Sequence, residues 1–147
     1  MLVNGVAQNG FQFTTTDGSM VPCTPLPWGQ LTALNVNTGK VVWTSPLGDW
    51  EALGEKGKGL GARNLGGNIV TAGGVIFIGA TNDRRFRAFE TKTGKLLWET
   101  ELMASAHTTP MTFMGKDGKQ YVVTTAGGGT SAGATRMGDS LVAYRLP

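Results

Sequence analysis

The strongest constraint on the fold is a pattern that occurs twice. Residues 31–47 read LTALNVNTGKVVWTSPL and residues 86–102 read FRAFETKTGKLLWETEL. At an offset of 55 residues, Ala33 falls on Ala88, Thr38 on Thr93, Gly39 on Gly94, Lys40 on Lys95, Trp43 on Trp98 and Leu47 on Leu102. A further step of the same size carries Ala88 to Ala143, inside the strand-like run 141–144. A fixed period of a few tens of residues marks a solenoid, propeller or array, in which each repeat buries its faces against its neighbours.

Each copy reads as a strand, a tight Thr-Gly turn and a second strand. Residues 29–35 and 40–45 form one such hairpin, and 85–90 with 95–101 another. Residues 65–72 and 75–80, joined by Gly73 and Gly74, make a further hairpin, so 65–102 is a four-stranded meander. The pattern restarts at 108–113 and 120–125, passes a Gly-rich loop at 127–138, and reaches one more strand at 140–146. No segment carries a 3.6-residue period. Four-stranded antiparallel units at this spacing are propeller blades.

The expected fold is therefore all-β, a partial β-propeller. Residues 1–30 are an irregular segment, with at most a short strand around Phe11 and Phe13. Residues 31–64 are the outer hairpin of one blade plus a loop with one helical turn. A full blade spans 65–107, and an incomplete final blade spans 108–147. Trp43 and Trp98 hold equivalent outer-strand positions, either as wedges docking into the next blade or as ordinary core tryptophans. A ring closes only with about four or more blades. The reading is thus part of a ring, completed by remaining blades or by further copies of the chain.

Composition narrows the function classes. Hydrophobic residues make up 40% and charged residues 16%, which fits a folded domain rather than a disordered one. The 23 glycines carry no collagen-like period and suit many tight turns. Net charge is +3, with no basic run longer than Arg84-Arg85, so a nucleic-acid surface is not indicated. A single cysteine, Cys23, excludes an internal disulfide. No stretch approaches the length of a membrane span, and no signal peptide is visible at the N-terminus.

The Ala-x-(Asn/Glu)-x-x-Thr-Gly-Lys-x-x-Trp blocks at 33–43 and 88–98 resemble the tryptophan-docking motif of the pyrroloquinoline quinone (PQQ) dehydrogenases, which are eight-bladed propellers. Asp is the commoner residue at the third place, held here by Asn35 and Glu90. Pro22-Cys23 through Trp28-Gly29, Leu65-Gly66-Gly67, Thr109-Pro110-Met111-Thr112 and Met137-Gly138-Asp139 follow in family order. From about residue 22 onward the chain is similar to the C-terminal blades of the membrane-bound glucose/quinate-type quinoproteins. The resemblance implies a periplasmic oxidoreductase oxidising a sugar, polyol or cyclic alcohol. It further implies PQQ with Ca or Mg, a quinone electron acceptor, and membrane association through parts outside this chain.

The resemblance also implies site residues. Leu65 matches an apolar contact of PQQ, and Gly66, Gly67 and Asn64 are the accompanying cofactor candidates; a Gly-rich turn before a core strand is the plainer alternative. Aligning the inner strands at Asn68 and Pro110 pairs Leu65 with His107, the only histidine, which is then substrate-proximal or simply structural. Glucose-oxidising members carry a histidine after Ala-Gly-Gly; here Gly129 stands there. Thr130, Ser131 and Arg136 are the candidate replacements. Arg63, Arg84 and Arg85 either meet PQQ's carboxylates or are solvated loop residues. No carboxylate cluster suited to a divalent cation appears, and in the family the base and cation ligands lie in earlier blades. The chain alone is therefore expected to be inactive, with a non-catalytic propeller interaction module or a self-assembling propeller piece as alternatives.

Overall fold

The computed structural model describes residues 12–129 and 136–145. Among these the strands are β1 (Gln12–Thr14), β2 (Met20–Pro22), β3 (Gln30–Leu34), β4 (Val41–Pro46), β5 (Asn68–Val70), β6 (Val75–Ile78), β7 (Arg85–Glu90), β8 (Leu96–Glu101), β9 (Met111–Met114), β10 (Gln120–Ala126) and β11 (Ser140–Arg145). The only helical element among the described residues is a 3-10 segment, Glu51–Gly57, kinked at Gly54. Strands β5-β6-β7-β8 form one antiparallel sheet in chain order, and β11-β10-β9 form a three-stranded sheet. Strands β1-β2 and β3-β4 are separate two-stranded sheets. This is a partial β-propeller, the fold expected from the period.

The repeat extends to local irregularities. Both outer hairpins slip register directly after the pairs Ala33↔Trp43 and Ala88↔Trp98. Their turns close alike. Gly39 N–H donates to Asn35 O at 2.8 Å and Gly94 N–H to Glu90 O at 2.9 Å. Gly39 and Gly94 have φ of +67° and +72°, a region open to glycine at little steric cost. Thr38 and Thr93 hydroxyls each accept from the following Lys N–H. The Thr-Gly-Lys signature is thus a turn prescription.

One expectation needs correction. Residues 1–30 are not irregular throughout, because β1 and β2 pair around the Asp17-Gly18 turn. Thr15 N–H donates to Ser19 O at 2.8 Å, and Asp17 Oδ1 accepts from Ser19 N–H at 3.1 Å. The strands are three residues long and buried at Val21 alone among the residues whose burial is described, too little to leave an apolar alternation. One period later stand β5 and β6, so β1–β4 repeat the order of β5–β8. Asn68–Val70 is likewise shorter than the 65–72 strand expected.

Sheet β5–β8 is apolar on both faces, as a middle blade must be. Ile76, Ile78 and Phe89 pack with Leu31, Leu47 and Trp43 of the preceding repeat. Phe77, Phe86 and Ala88 pack on the other side with Val122, Ala126, Val142 and Tyr144 of the following one. Trp43 crosses the first interface: its Nε1–H donates to Thr91 O at 2.9 Å, and its ring lies over Gly94. Trp98 leans edge-on against Tyr144, with ring centroids 5.1 Å apart, and remains 38% exposed.

Candidate functional site

The two inner-strand starts singled out in the sequence meet in space. Leu65 N–H donates to Ala80 O at 2.8 Å, and Ala80 N–H donates to Ala106 O at 2.7 Å. His107 Nδ1 stands 3.0 Å from Leu65 O and 3.1 Å from Ala80 O. One imidazole therefore ties the entry of the second repeat to that of the third. Asn64 sits beside them in an antiparallel bridge with Thr81, its Nδ2 donating to Ala62 O at 3.4 Å. Leu65 is half-buried and Gly66 is exposed.

The glycines have a reason the sequence did not reveal. A Cβ on Gly66 would lie 3.0 Å from the His107 carbonyl carbon, and one on Gly67 would lie 2.2 Å from Thr109 Oγ1. Gly79 is equally constrained, 2.6 Å from the Ala106 Cβ. Within this chain, the space left by the missing side chains admits the His107 backbone at Gly66, the Thr109 side chain at Gly67 and Ala106 at Gly79. Gly129 lies near the imidazole, where a Cβ would be 3.9 Å from His107 Cδ2. Gly128 N–H donates to Ser105 O at 2.9 Å, tying this loop to residues that lead into His107. Thr130 and Ser131 lie outside the described residues. Arg136 is described and exposed.

Sequence reasoning missed a buried ionic network beside these residues. Arg87 and Asp83 are 4% and 3% exposed, and the guanidinium grips the carboxylate through Nη1 and Nη2. Arg87 Nε also pairs with Glu99 at 3.2 Å, and Asp49 N–H donates to Asp83 Oδ2 at 2.8 Å. Burial alone would raise the Asp83 carboxyl. The Arg87 hydrogen bonds and charge, with Thr81 and the Asp49 N–H, outweigh it and hold the group below its ordinary value. The available signal was a lone charge inside the apolar run Phe86-Arg87-Ala88-Phe89.

Arg84 and Arg85 are paired with carboxylates rather than merely solvated. Arg84 pairs with Glu101 at 2.9 Å and Glu51 at 3.5 Å; Arg85 pairs with Glu99 at 3.0 Å and Asp49 at 3.8 Å. Arg63 lines a cavity of about 290 Å³ with Trp50, Asn82 and Asp83. Among the described residues, no group of three or more His, Cys, Asp or Glu is placed to hold a metal ion.

This surface brings together a half-buried Leu65, an exposed Gly66 and the His107 imidazole.

Comparison with known proteins agrees with the geometry. Residues 5–122 match the family model described as PQQ, the glucose/ethanol/alcohol dehydrogenase β-propeller domain. The chain is 45% identical over 135 residues to quinoprotein glucose dehydrogenase A of Acinetobacter calcoaceticus, covering 86% of this chain and 16% of that protein. It is 38% identical over 133 residues to the quinate/shikimate dehydrogenase (quinone) of Acinetobacter baylyi, with the same 86% and 16% coverage. In fold it is similar to a quinohemoprotein alcohol dehydrogenase of Pseudomonas putida HK5, with TM-score 0.63, 24% identity, and coverage of 93% of this chain and 19% of that one. The chain spans about a sixth of the length of the curated relatives it matches.

Proposed function

The chain belongs to the PQQ glucose/ethanol/alcohol dehydrogenase β-propeller family, and from that premise we propose that it forms one wall of a PQQ site within a larger dehydrogenase. It would supply the C-terminal blades of a periplasmic enzyme oxidising a sugar, polyol or cyclic alcohol, with a quinone as electron acceptor. One observation carries this reading: Leu65 and Gly66 form an accessible, mostly apolar edge whose backbone is locked by His107 and Ala80.

PQQ, when bound, supplies the two-electron acceptor, and the protein's part is to bind and orient. Leu65 offers apolar contact to a flat ring, and Gly66 exposes its peptide at the same edge. Asn64 and Gly67 flank them. Because Leu65 O is held by the His107 ring, the wall is pre-organised before a ligand arrives. The cation expected in the complete protein, Ca or Mg, needs several oxygen ligands, which on this reading come from elsewhere in the assembled ring. Membrane association would arise the same way; among the described residues no helix is long and apolar enough to cross a membrane.

The test is titration of the chain with PQQ, read on the Leu65 methyl resonances, beside a dye-reduction assay with PQQ, Ca²⁺ and a panel of sugars and polyols. Leu65 shifts without dye reduction are expected. Turnover by the monomeric chain would overturn the view that it is only a wall, and PQQ-insensitive Leu65 methyls would overturn the cofactor assignment.

A further inference from the structure

The charges of this chain are sorted by end. In sheet β5–β8 the turns 71–74 and 91–95 lie at one end, where Thr91 N–H donates to Gly74 O at 2.9 Å. Turn 35–40 of the first repeat joins them, because Trp43 Nε1–H donates to Thr91 O at 2.9 Å and the indole lies over Gly94. Strand β9 starts from the opposite end, just after His107, so turn 115–119 falls at this end as well. Lys40, Lys92, Lys95, Lys116 and Lys119 all belong to these turns and are exposed. Arg145 closes β11 opposite Tyr121 at the same end, and the acids there are Glu90 and Asp117. The Asp17 turn lies apart, since Ser19 Oγ–H donates to Ala52 O at 2.9 Å in the loop whose Asp49 N–H meets Asp83. Six cations against two acids leave a surplus of four at the turn end; the whole chain has 13 against 10, so the remainder carries a net charge of −1. Toward the other end Arg84, Arg85 and Arg87 are each paired with carboxylates. None of the five turn lysines has an ion-pair partner among the described residues.

Two features say what such an end fits. Lysines are hydrated point charges on flexible stems, suited to a diffuse anionic surface rather than to one fixed carboxylate. Apolar residues stand in the open beside the same turns. Val36 is 92% exposed within turn 35–40, and Met114, just before turn 115–119, is 66% exposed; Val41, Val70 and Leu96 border the other strands' ends here and are exposed too. Basic residues interleaved with exposed aliphatic ones can hold anionic headgroups and seat in the boundary beneath them. We propose that this turn end docks on an anionic phospholipid surface, supplementing any anchor elsewhere in the complete protein. The repeats stack through their sheet faces, so further blades leave this end open. The Leu65–His107 edge lies at the opposite end and stays toward water. The inference is independent of PQQ binding.

The test is co-sedimentation of the chain with vesicles of phosphatidylcholine containing about one-third phosphatidylglycerol, against vesicles of phosphatidylcholine alone. Binding is expected to the first only, and should fall about tenfold or more between low salt and about 0.5 M NaCl. A lysine near an anionic leaflet contributes about fivefold, so Lys95→Gln with Lys119→Gln should weaken binding about 25-fold. Lys56→Gln with Lys58→Gln removes the same charge from the 3-10 loop at the other end and should weaken it less than about threefold. Val36→Ser leaves the charge intact and should cost about threefold or more on vesicles, without changing retention on poly-glutamate beads. All these positions are exposed, and circular dichroism checks that each variant keeps its fold. Equal losses for the two lysine pairs would reduce the effect to net charge and overturn the proposal. Binding that ignores salt, or that is as strong on phosphatidylcholine alone, does the same. Tighter retention on poly-glutamate than on vesicles, with Val36→Ser silent, identifies an acidic protein as the partner and overturns the lipid assignment.

Discussion

Gly39 and Gly94 hold the same place in successive repeats, with φ of +67° and +72°. They differ in what faces them. A Cβ on Gly39 meets nothing within 4 Å, whereas one on Gly94 would lie 2.5 Å from Cε3 of Trp43 and 2.8 Å from Cδ2 and Cζ3. Alanine at either position incurs the same left-handed penalty, about 1–2 kcal/mol. Only Gly94→Ala adds overpacking, worth about 1–3 kcal/mol, because the indole is anchored by its 2.9 Å bond to Thr91 O. With a urea slope of about 2 kcal/mol/M, Gly94→Ala should lower the unfolding midpoint by about 1 M more than Gly39→Ala. Equilibrium urea unfolding followed by circular dichroism measures both. In a Trp43→Leu background the gap should shrink to within about 0.5 kcal/mol, since the contact that distinguishes the sites is gone. Equal shifts for the two glycines, or a gap that survives loss of Trp43, would refute the idea that Trp43 packs on the neighbouring turn.

Asp83→Asn leaves Arg87 buried without its main counter-charge and should cost about 3–5 kcal/mol in the same assay. The folded Asp83 carboxyl lies below its ordinary value of 3.8. Its stabilisation is therefore complete above about pH 4 and lost as pH falls through the folded value. Wild-type Tm should drop over that acid range more steeply than that of Asp83→Asn. Asp83→Asn combined with Arg87→Met should cost less than the two single changes summed, with a coupling of about 1–3 kcal/mol from a double-mutant cycle. Gly67→Ala places a Cβ 2.2 Å from Thr109 Oγ1; it should cost about 1–3 kcal/mol, and Thr109→Ala should relieve most of that. Trp98→Ala should cost less than the roughly 3–5 kcal/mol of a fully buried aromatic, because Trp98 is 38% exposed.

What the sequence disclosed follows a physical line. The outer hairpins were legible because their turn demands glycine at positive φ and a threonine hydroxyl for the next N–H, requirements met by adjacent residues. Aligning two inner-strand starts set Leu65 and His107 at equivalent places 42 residues apart, but the bond between the imidazole and Leu65 O was not legible there. The β1–β2 hairpin was not, because three-residue strands with little buried surface leave no alternation to read. The role of Gly66 and Gly67 was hidden too, since the atoms that forbid a side chain belong to the next repeat. Asp83 lies in the turn before β7. Its burial depends on Asp49, 34 residues earlier, and on Glu99 across the sheet through Arg87, partners that no local pattern names.

The two faces of sheet β5–β8 explain how a repeated sequence builds units that are not interchangeable. Toward the first repeat the sheet presents Ile76, Ile78 and Phe89 around the Arg87–Asp83 pair, and Asp49 comes from that repeat's own loop to meet it. Toward the third it presents Phe77, Phe86 and Ala88, met by Val122, Val142 and Tyr144. Exchanging the faces would set Arg87 and Asp83 against an apolar sheet without Asp49, and incompletely compensated buried charge is strongly destabilising. Docking is thereby fixed in one orientation, and it brings Gly66 against the His107 backbone and Gly67 against the Thr109 side chain. His107 can reach Leu65 and Ala80 only because that junction is closed. The candidate site is accordingly a property of the interface between repeats, and a polypeptide carrying either repeat alone has no means of forming it.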